Sequence, residues 1–368
     1  MLNRFEVTNF KNFNEKFVFD LSQTKNYEFN SDCIKNGIVN KALIYGLNGC
    51  GKSNLGLAIF DIISHLTDKQ KRSEYYDNYL NGQNDNKIAE FYFNFKFGDD
   101  IVEYSYSKKS SEELIFEKLT INGKLVVYYD RENDKEIFID LEGAETLNRD
   151  LSQSKISAIK YINSNTKITN SIFLQFVNFV DKMLFFKSLE ERIYIGYEIG
   201  TADILEDIIQ KNNLKEFEIF LNESGIKCKL KTIEIDEKKR IVFDFGKKSI
   251  NFINNASTGT RSLTLFYYWL QRLRDDSNKP YFVFIDEFDA FYHQNLAEII
   301  VKELKKNDCQ VILTTHDTSI MSNDLLRPDC YFLMDNIPKI NPLYKFTDKE
   351  LRFAHNLEKM YRAGAFDE

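Results

Sequence analysis

Between residues 46 and 53 the chain reads Gly-Leu-Asn-Gly-Cys-Gly-Lys-Ser, and this octapeptide constrains the fold more than any other part of the 368 residues. It satisfies GxxxxGK[ST] in full, follows the apolar run Ala-Leu-Ile-Tyr and leads into Asn-Leu-Gly-Leu-Ala-Ile-Phe. The context is strand, glycine-rich turn, helix, in which backbone N–H groups and a helix N-terminus wrap an anion. Gly46, Gly49 and Gly51 let the backbone curl around a phosphate, with Asn48, Cys50 and Asn54 completing the loop. Lys52 is placed to reach β- and γ-phosphates, and the hydroxyl of Ser53 to ligate Mg²⁺. The pattern predicts a nucleotide-binding α/β fold.

Three further segments fit that reading. Residues 281–287, Tyr-Phe-Val-Phe-Ile-Asp-Glu, form an apolar run that ends in two acids. Asp286 is placed to hold the Mg²⁺ shell and Glu287 to polarise an attacking water. Residues 311–316, Val-Ile-Leu-Thr-Thr-His, make another apolar run ending in a histidine. Adjacent parallel strands would bring His316 and Glu287 to one sheet edge, where ligands of such folds bind. Before both lies Ser257-Thr258-Gly259-Thr260, opening an amphipathic helix. Small hydroxyl residues and glycine at a helix start make either a second anion cradle or a plain N-cap, and spacing alone does not choose.

The remaining patterning sets the frame. Residues 89–129 alternate apolar and polar, with Asn122-Gly123 as a hairpin signal, and predict an antiparallel sheet. Residues 147–224 carry helical spacing and predict a helical lobe; alternation returns at 229–253, and after Gly259 the order reads helix, strand, helix, strand, helix. One nucleotide-binding sheet interrupted by an insertion explains this, divided as 1–130, 131–235 (mainly helical) and 236–368. With 43% hydrophobic and 14% aromatic residues the chain is not disordered. A formal charge of −7 argues against a strongly basic nucleic-acid coat but leaves room for a local basic groove. No apolar run reaches the 18 or so residues of a membrane span, and the N-terminus lacks the apolar centre of a signal peptide, so a cytoplasmic protein without a membrane partner is expected. Five scattered cysteines without a CxxC pair fit reduced thiols, neither a disulfide framework nor a zinc site.

The order of these segments (phosphate loop, small-residue signature, Asp-Glu strand, terminal histidine) resembles the ABC-type ATPase superfamily. Gly51-Lys52-Ser53-Asn54 is similar to its SMC, recombination and OLD-type branch, and the signature is Ser257-Thr258-Gly259-Thr260 where transporters carry LSGGQ. Together with IDEFDAFYHQ and TTHDTSIMSNDLLRPD, these residues resemble the stand-alone AAA/ABC-like ATPases of bacterial abortive-infection and phage-defence loci, a group that includes the ATPase subunit of PARIS-type systems. NFKNF near the start and YRAGAF near the end extend the likeness, while roughly 130–230 is not covered.

The resemblance implies a P-loop NTPase of the ABC type, with a mixed parallel core sheet, an antiparallel subdomain and an inserted helical lobe. It implies ATP and Mg²⁺ as cofactors, and a homodimer or higher homo-oligomer built as a head-to-tail ATP sandwich between residues 46–53 of one subunit and 257–260 of another. It places Asp289 in a loop touching the opposite subunit and aligns His293 with the histidine of the family's IDE…LHP segment, although Gln294 stands where the family has proline. Gln83 is a candidate for the family's Q-loop glutamine. The function implied is a Mg-dependent ATPase serving as sensor and switch for a separately encoded effector, a nuclease or toxin, in anti-phage defence. No nuclease-like metal cluster follows the motifs, and about 50 residues after His316 leave no room for an OLD-type nuclease domain. The alternative is an SMC- or recombination-like ATPase acting on DNA, disfavoured by the lack of sustained heptads and of a CxxC hook. A transporter subunit or inert scaffold fits less well, since Glu287 is intact.

Overall fold

The structure is a computed structural model describing residues 1–69, 73–188, 193–196, 204–235, 238–275, 279–289 and 294–366. Continuous apolar runs should form strands covered on both faces, and they do. Lys41–Tyr45, Phe282–Ile285, Gln310–Thr315 and Tyr331–Met334 are buried along their whole length. They belong to one seven-stranded sheet in the order Ile193–Gly196, Met183–Ser188, Phe282–Ile285, Gln310–Thr315, Lys41–Tyr45, Tyr331–Met334, Ile340–Pro342. The five inner strands are mutually parallel and the two outer ones antiparallel to their neighbours. The strand bearing His316 lies between the phosphate-loop strand and the Asp-Glu strand, so three sequence-distant strand ends share one edge.

A second seven-stranded sheet is antiparallel, ordered Phe138–Ile139, Lys124–Asp130, Leu114–Ile121, Asp100–Lys108, Ala89–Phe97, Leu2–Thr8, Phe17–Asp20. Its expected hairpin turn is present, with Asn122 and Gly123 both at positive φ (51° and 76°), the conformation a two-residue type I′ turn demands. Two polar ties bind this sheet to the rest. The Gln310 amide accepts from Leu2 N at 2.8 Å and donates to Leu2 O and Val39 O, joining the first strand to the histidine strand. Asp61, just past the helix Lys52–Phe60, is fully buried and takes Lys108 Nζ at 2.6 Å and the Tyr106 hydroxyl at 3.0 Å.

Two expectations differ from the outcome. Within 147–224 the helices Ala158–Asn165, Ser171–Asp181, Ile204–Gln210 and Leu214–Glu223 form, but Met183–Ser188 is a strand of the core sheet, parallel to Phe282–Ile285. Its Met-Leu-Phe-Phe run is apolar on successive residues because both faces are covered, and next to an amphipathic helix such a run reads as its continuation. After His316 a short 3₁₀ turn, Thr318–Ile320, and an unexpected strand, Tyr331–Met334 beside the phosphate-loop strand, come before the expected terminal helix, Leu357–Arg362. Residues 229–253 form the expected strands, Leu230–Ile235, Lys238–Asp244 and Ser249–Asn251, as a separate antiparallel sheet leading through Phe252–Asn255 into the helix Thr258–Leu273.

Candidate nucleotide site

Residues 46–51 turn sharply between Lys41–Tyr45 and the helix Lys52–Phe60. Gly51 sits at φ +108°, a conformation that strains any L side chain, and a Cβ there would press on the Asn12 side-chain amide. Asn12 pins the loop: its Nδ2 donates to Cys50 O at 3.3 Å and its Oδ1 accepts from Asn54 Nδ2 at 2.8 Å. Lys52 is buried, its ammonium held by Gly46 O at 2.6 Å and Leu47 O at 3.1 Å within the cup of the loop. Leu47, Asn48 and Gly49 are exposed.

The acidic strand end is equally constrained. Asp286 is only 4% exposed, and burial pushes its carboxyl above the usual carboxylate range against the hydrogen bonds from Ser53 and Thr314. The Thr314 hydroxyl donates to Asp286 Oδ1 at 2.6 Å and accepts from Glu287 N–H at 2.8 Å. That second bond holds Glu287 at φ +44°, a left-handed conformation that costs a non-glycine residue roughly 1–2 kcal/mol. The Glu287 side chain is exposed at the sheet edge.

Thr315 repeats the device one residue on. Its hydroxyl donates to Asp289 Oδ2 at 2.6 Å and accepts from Asp317 N–H at 2.8 Å, fixing the turn that carries exposed His316. Burial also pushes the Asp289 carboxyl up, with the nearby His316 among the opposing influences.

The structure thus brings together residues 46–54, Asp286, Glu287 and His316. The signature is not hydrogen-bonded into this group. Ser257 caps the helix Thr258–Leu273, its Oγ accepting from Thr260 N at 3.2 Å and lying 2.9 Å from Thr260 Oγ1. Ser257 and Thr258 face solvent, Gly259 is half-buried and Thr260 buried. Among the described residues no hydrogen bond joins 257–260 to 46–53 of the same chain. Gln83 lines a cleft of about 890 Å³ whose wall includes Asn12, Gly49 and Asn54. His293 lies outside the described residues. Sequence reasoning missed Asn12, although it sits within the NFKNF segment, and missed Thr314 and Thr315, which read simply as good strand formers.

The donor set fits a magnesium ion. Ser53 and Asp286 are already in side-chain contact and offer hard oxygen atoms. Among the described residues no group of three or more His, Cys, Asp or Glu side chains could hold a metal unaided. Mg²⁺ favours this kind of site, taking one or two protein oxygens and completing its shell with waters and substrate phosphates. All five cysteines are free thiols, and no helix among the described residues is long and apolar enough to cross a membrane.

Residues 41–322 match the family described as "AAA domain, putative AbiEii toxin, Type IV TA system". No curated protein matches the sequence. Among solved structures, the fold is similar to an SMC head bound to the C-terminal winged-helix domain of ScpA, with a TM-score of 0.50 and 14% identity over 92% of this chain and 96% of that one. The SMC head domain from Thermotoga maritima (TM-score 0.43, 14% identity, 93% and 98% covered) and the recombination mediator RecF with ATP (0.39, 14%, 91% and 97%) also match.

Proposed function

Because the chain belongs to this AAA-domain family and has an ABC-type P-loop fold, we propose that it binds ATP at the edge built from residues 46–54 and hydrolyses it there to ADP and phosphate. The observation that carries the proposal is the link Ser53–Asp286–Thr314–Glu287, which ties three strand ends into one unit beside the phosphate loop. The loop N–H groups take the phosphates, and Lys52 exchanges its contacts with Gly46 O and Leu47 O for phosphate oxygens. Ser53 and Asp286 would hold Mg²⁺, which would supply charge neutralisation for the bound phosphates. Glu287 orients the attacking water and takes its proton; His316 donates to the γ-phosphate.

The exposed Ser257 and Thr258 that open the signature suit a site completed by a second copy, their hydroxyls and the Gly259 backbone meeting the γ-phosphate of the first. Closure on ATP and reopening on hydrolysis would make the molecule a switch, in keeping with control of a separately encoded toxin or nuclease in anti-phage defence; the family description itself names a toxin and a type IV toxin–antitoxin system. An ATPase acting on DNA is the second reading, favoured by the basic segment at 227–248.

The test compares wild type with Glu287→Gln. Turnover should fall roughly 10²–10⁴-fold, the usual worth of general-base assistance, with ATP affinity retained. Unchanged turnover would refute the assignment of the base, and loss of ATP binding in Lys52→Ala alone would still locate the nucleotide.

A further inference from the structure

One concentration of charge lies away from the residues that converge at the nucleotide edge. Residues 227–248 hold eight Lys and Arg against four Asp and Glu, in a chain of formal charge −7. They form most of the small antiparallel sheet. Lys238, Lys239 and Arg240 open its middle strand, Lys238–Asp244, and Lys247 and Lys248 stand in the turn that follows it. All five are exposed. Lys231, by contrast, is neutralised by Asp244 at 3.0 Å, and Glu234 stands opposite Lys239 in the register. Four strand residues, 241–244, lie between the two clusters, whose centres stand roughly 15–20 Å apart at about 3.3 Å per residue.

That separation selects the ligand. A single phosphate or a mononucleotide would engage one cluster; an extended polyanion engages both. Seven of the eight cations are lysines, point charges that follow a phosphate chain without the forked geometry with which arginine grips carboxylates. Phe245, 67% exposed, adjoins the second cluster with Ile250 nearby at 39%, offering a ring on which a base can stack. A groove of about 690 Å³ between the helix Ile204–Gln210 and the middle strand is lined by Lys238, Lys239, Arg240, Asn251 and Asn254, with Glu206 the one carboxylate among its lining residues. We propose that this three-stranded sheet binds a nucleic-acid strand through its phosphodiester backbone, with Phe245 stacking on an unpaired base.

The placement also supplies a route to the ATPase. From Asn251, whose side chain caps the turn Phe252–Asn255 by accepting from Asn254 N at 3.1 Å, only a few residues lead to Ser257. A strand held on the sheet therefore sits at the root of the signature helix, and bound nucleic acid should change ATP turnover. This coupling rests on the function proposed above, whereas binding does not.

The experiment is fluorescence anisotropy of the full chain with a labelled 30-nucleotide single strand, a 30-base-pair duplex and polyglutamate, across a salt series. Single-strand binding should weaken steeply with salt, and the triple variant Lys238→Gln/Lys239→Gln/Arg240→Gln should reduce the log–log slope by about two to three, from roughly 0.7–0.9 per phosphate contact. Phe245→Ala should weaken the single strand several-fold and leave the duplex unchanged. Thermal melts and ATP affinity of these surface variants should match wild type, which separates failure of this site from failure of the nucleotide site. No binding, equal binding by the triple variant, or polyglutamate competing as well as nucleic acid would overturn the proposal. A Phe245-independent duplex preference would overturn the stacking while upholding the backbone contacts.

Discussion

Thr314 joins two roles in one hydroxyl: it donates to the carboxylate of Asp286 and accepts from the backbone N–H of Glu287. The left-handed Glu287 has no side-chain reason to adopt φ +44°, so this acceptor is what offsets the strain. Thr314→Val keeps the shape and removes both bonds. We expect kcat to fall about 10–100-fold with little change in the KM for ATP, because a misplaced base forfeits part of the roughly 10²–10⁴-fold that general-base assistance is worth, and Thr314→Ser to restore most of it. Equal losses in Val and Ser variants would point to packing instead.

Asp286 makes a second prediction at the same scale. Burial raises its carboxyl above the ordinary 3.8, so the folded state holds the proton more tightly than the unfolded chain. Stability therefore falls as pH rises from the ordinary carboxylate range through the raised folded value. Asp286→Asn should raise Tm at pH 7, with the advantage shrinking as pH drops toward the carboxylate range, while Mg-dependent turnover disappears. A lower Tm at pH 7 would show that the hydrogen bonds from Ser53 and Thr314 outweigh desolvation.

At this scale the sequence was informative where chemistry is local. The phosphate loop is a contiguous pattern, and the Asp-Glu pair and His316 each end an apolar run. Asn12 and Thr314 escaped because their partners are distant: Asn12 pins a loop about 40 residues away, and threonine in a strand carries no mark of function.

Among elements, the tie between the helix Lys52–Phe60 and the antiparallel sheet is a fully buried ion pair, Asp61 with Lys108, supported by Tyr106 and Ser64. Removing one partner strands a charge without water. Lys108→Met should cost roughly 3–5 kcal/mol in denaturant unfolding, and Asp61→Asn/Lys108→Met should recover much of it, since a buried pair replaced as a pair is often near neutral. A double variant as unstable as the single one would mean that the tie itself, not the orphaned charge, holds the layers together. The sequence conceals this pair: Lys108 follows Val102, Tyr104 and Tyr106 on the buried face of its strand, yet a lysine at a strand end reads as solvated. It also concealed Met183–Ser188, whose apolar run continues the phase of the helix before it. Both misreadings share a cause: local periodicity reports which faces are covered, not what covers them.

Across the whole molecule, the parallel sheet assembles strands from residues 41 to 334, so the nucleotide edge exists only when the chain is folded throughout. The α/β class and the interrupted sheet were legible because the apolar runs at 41, 282 and 310 are each buried on both faces. The signature was legible as a helix start, but the exposure of Ser257 and Thr258 without a hydrogen bond to the phosphate loop of their own chain was not, since that is a tertiary property. That exposure underlies the central claim, which is that ATP on residues 46–53 is completed by residues 257–260 of another copy. Light scattering of Glu287→Gln with and without Mg-ATP tests it most directly. The account requires a nucleotide-dependent rise from monomer to dimer or larger, abolished by Gly259→Asp; a mass that ignores ATP would contradict the sandwich.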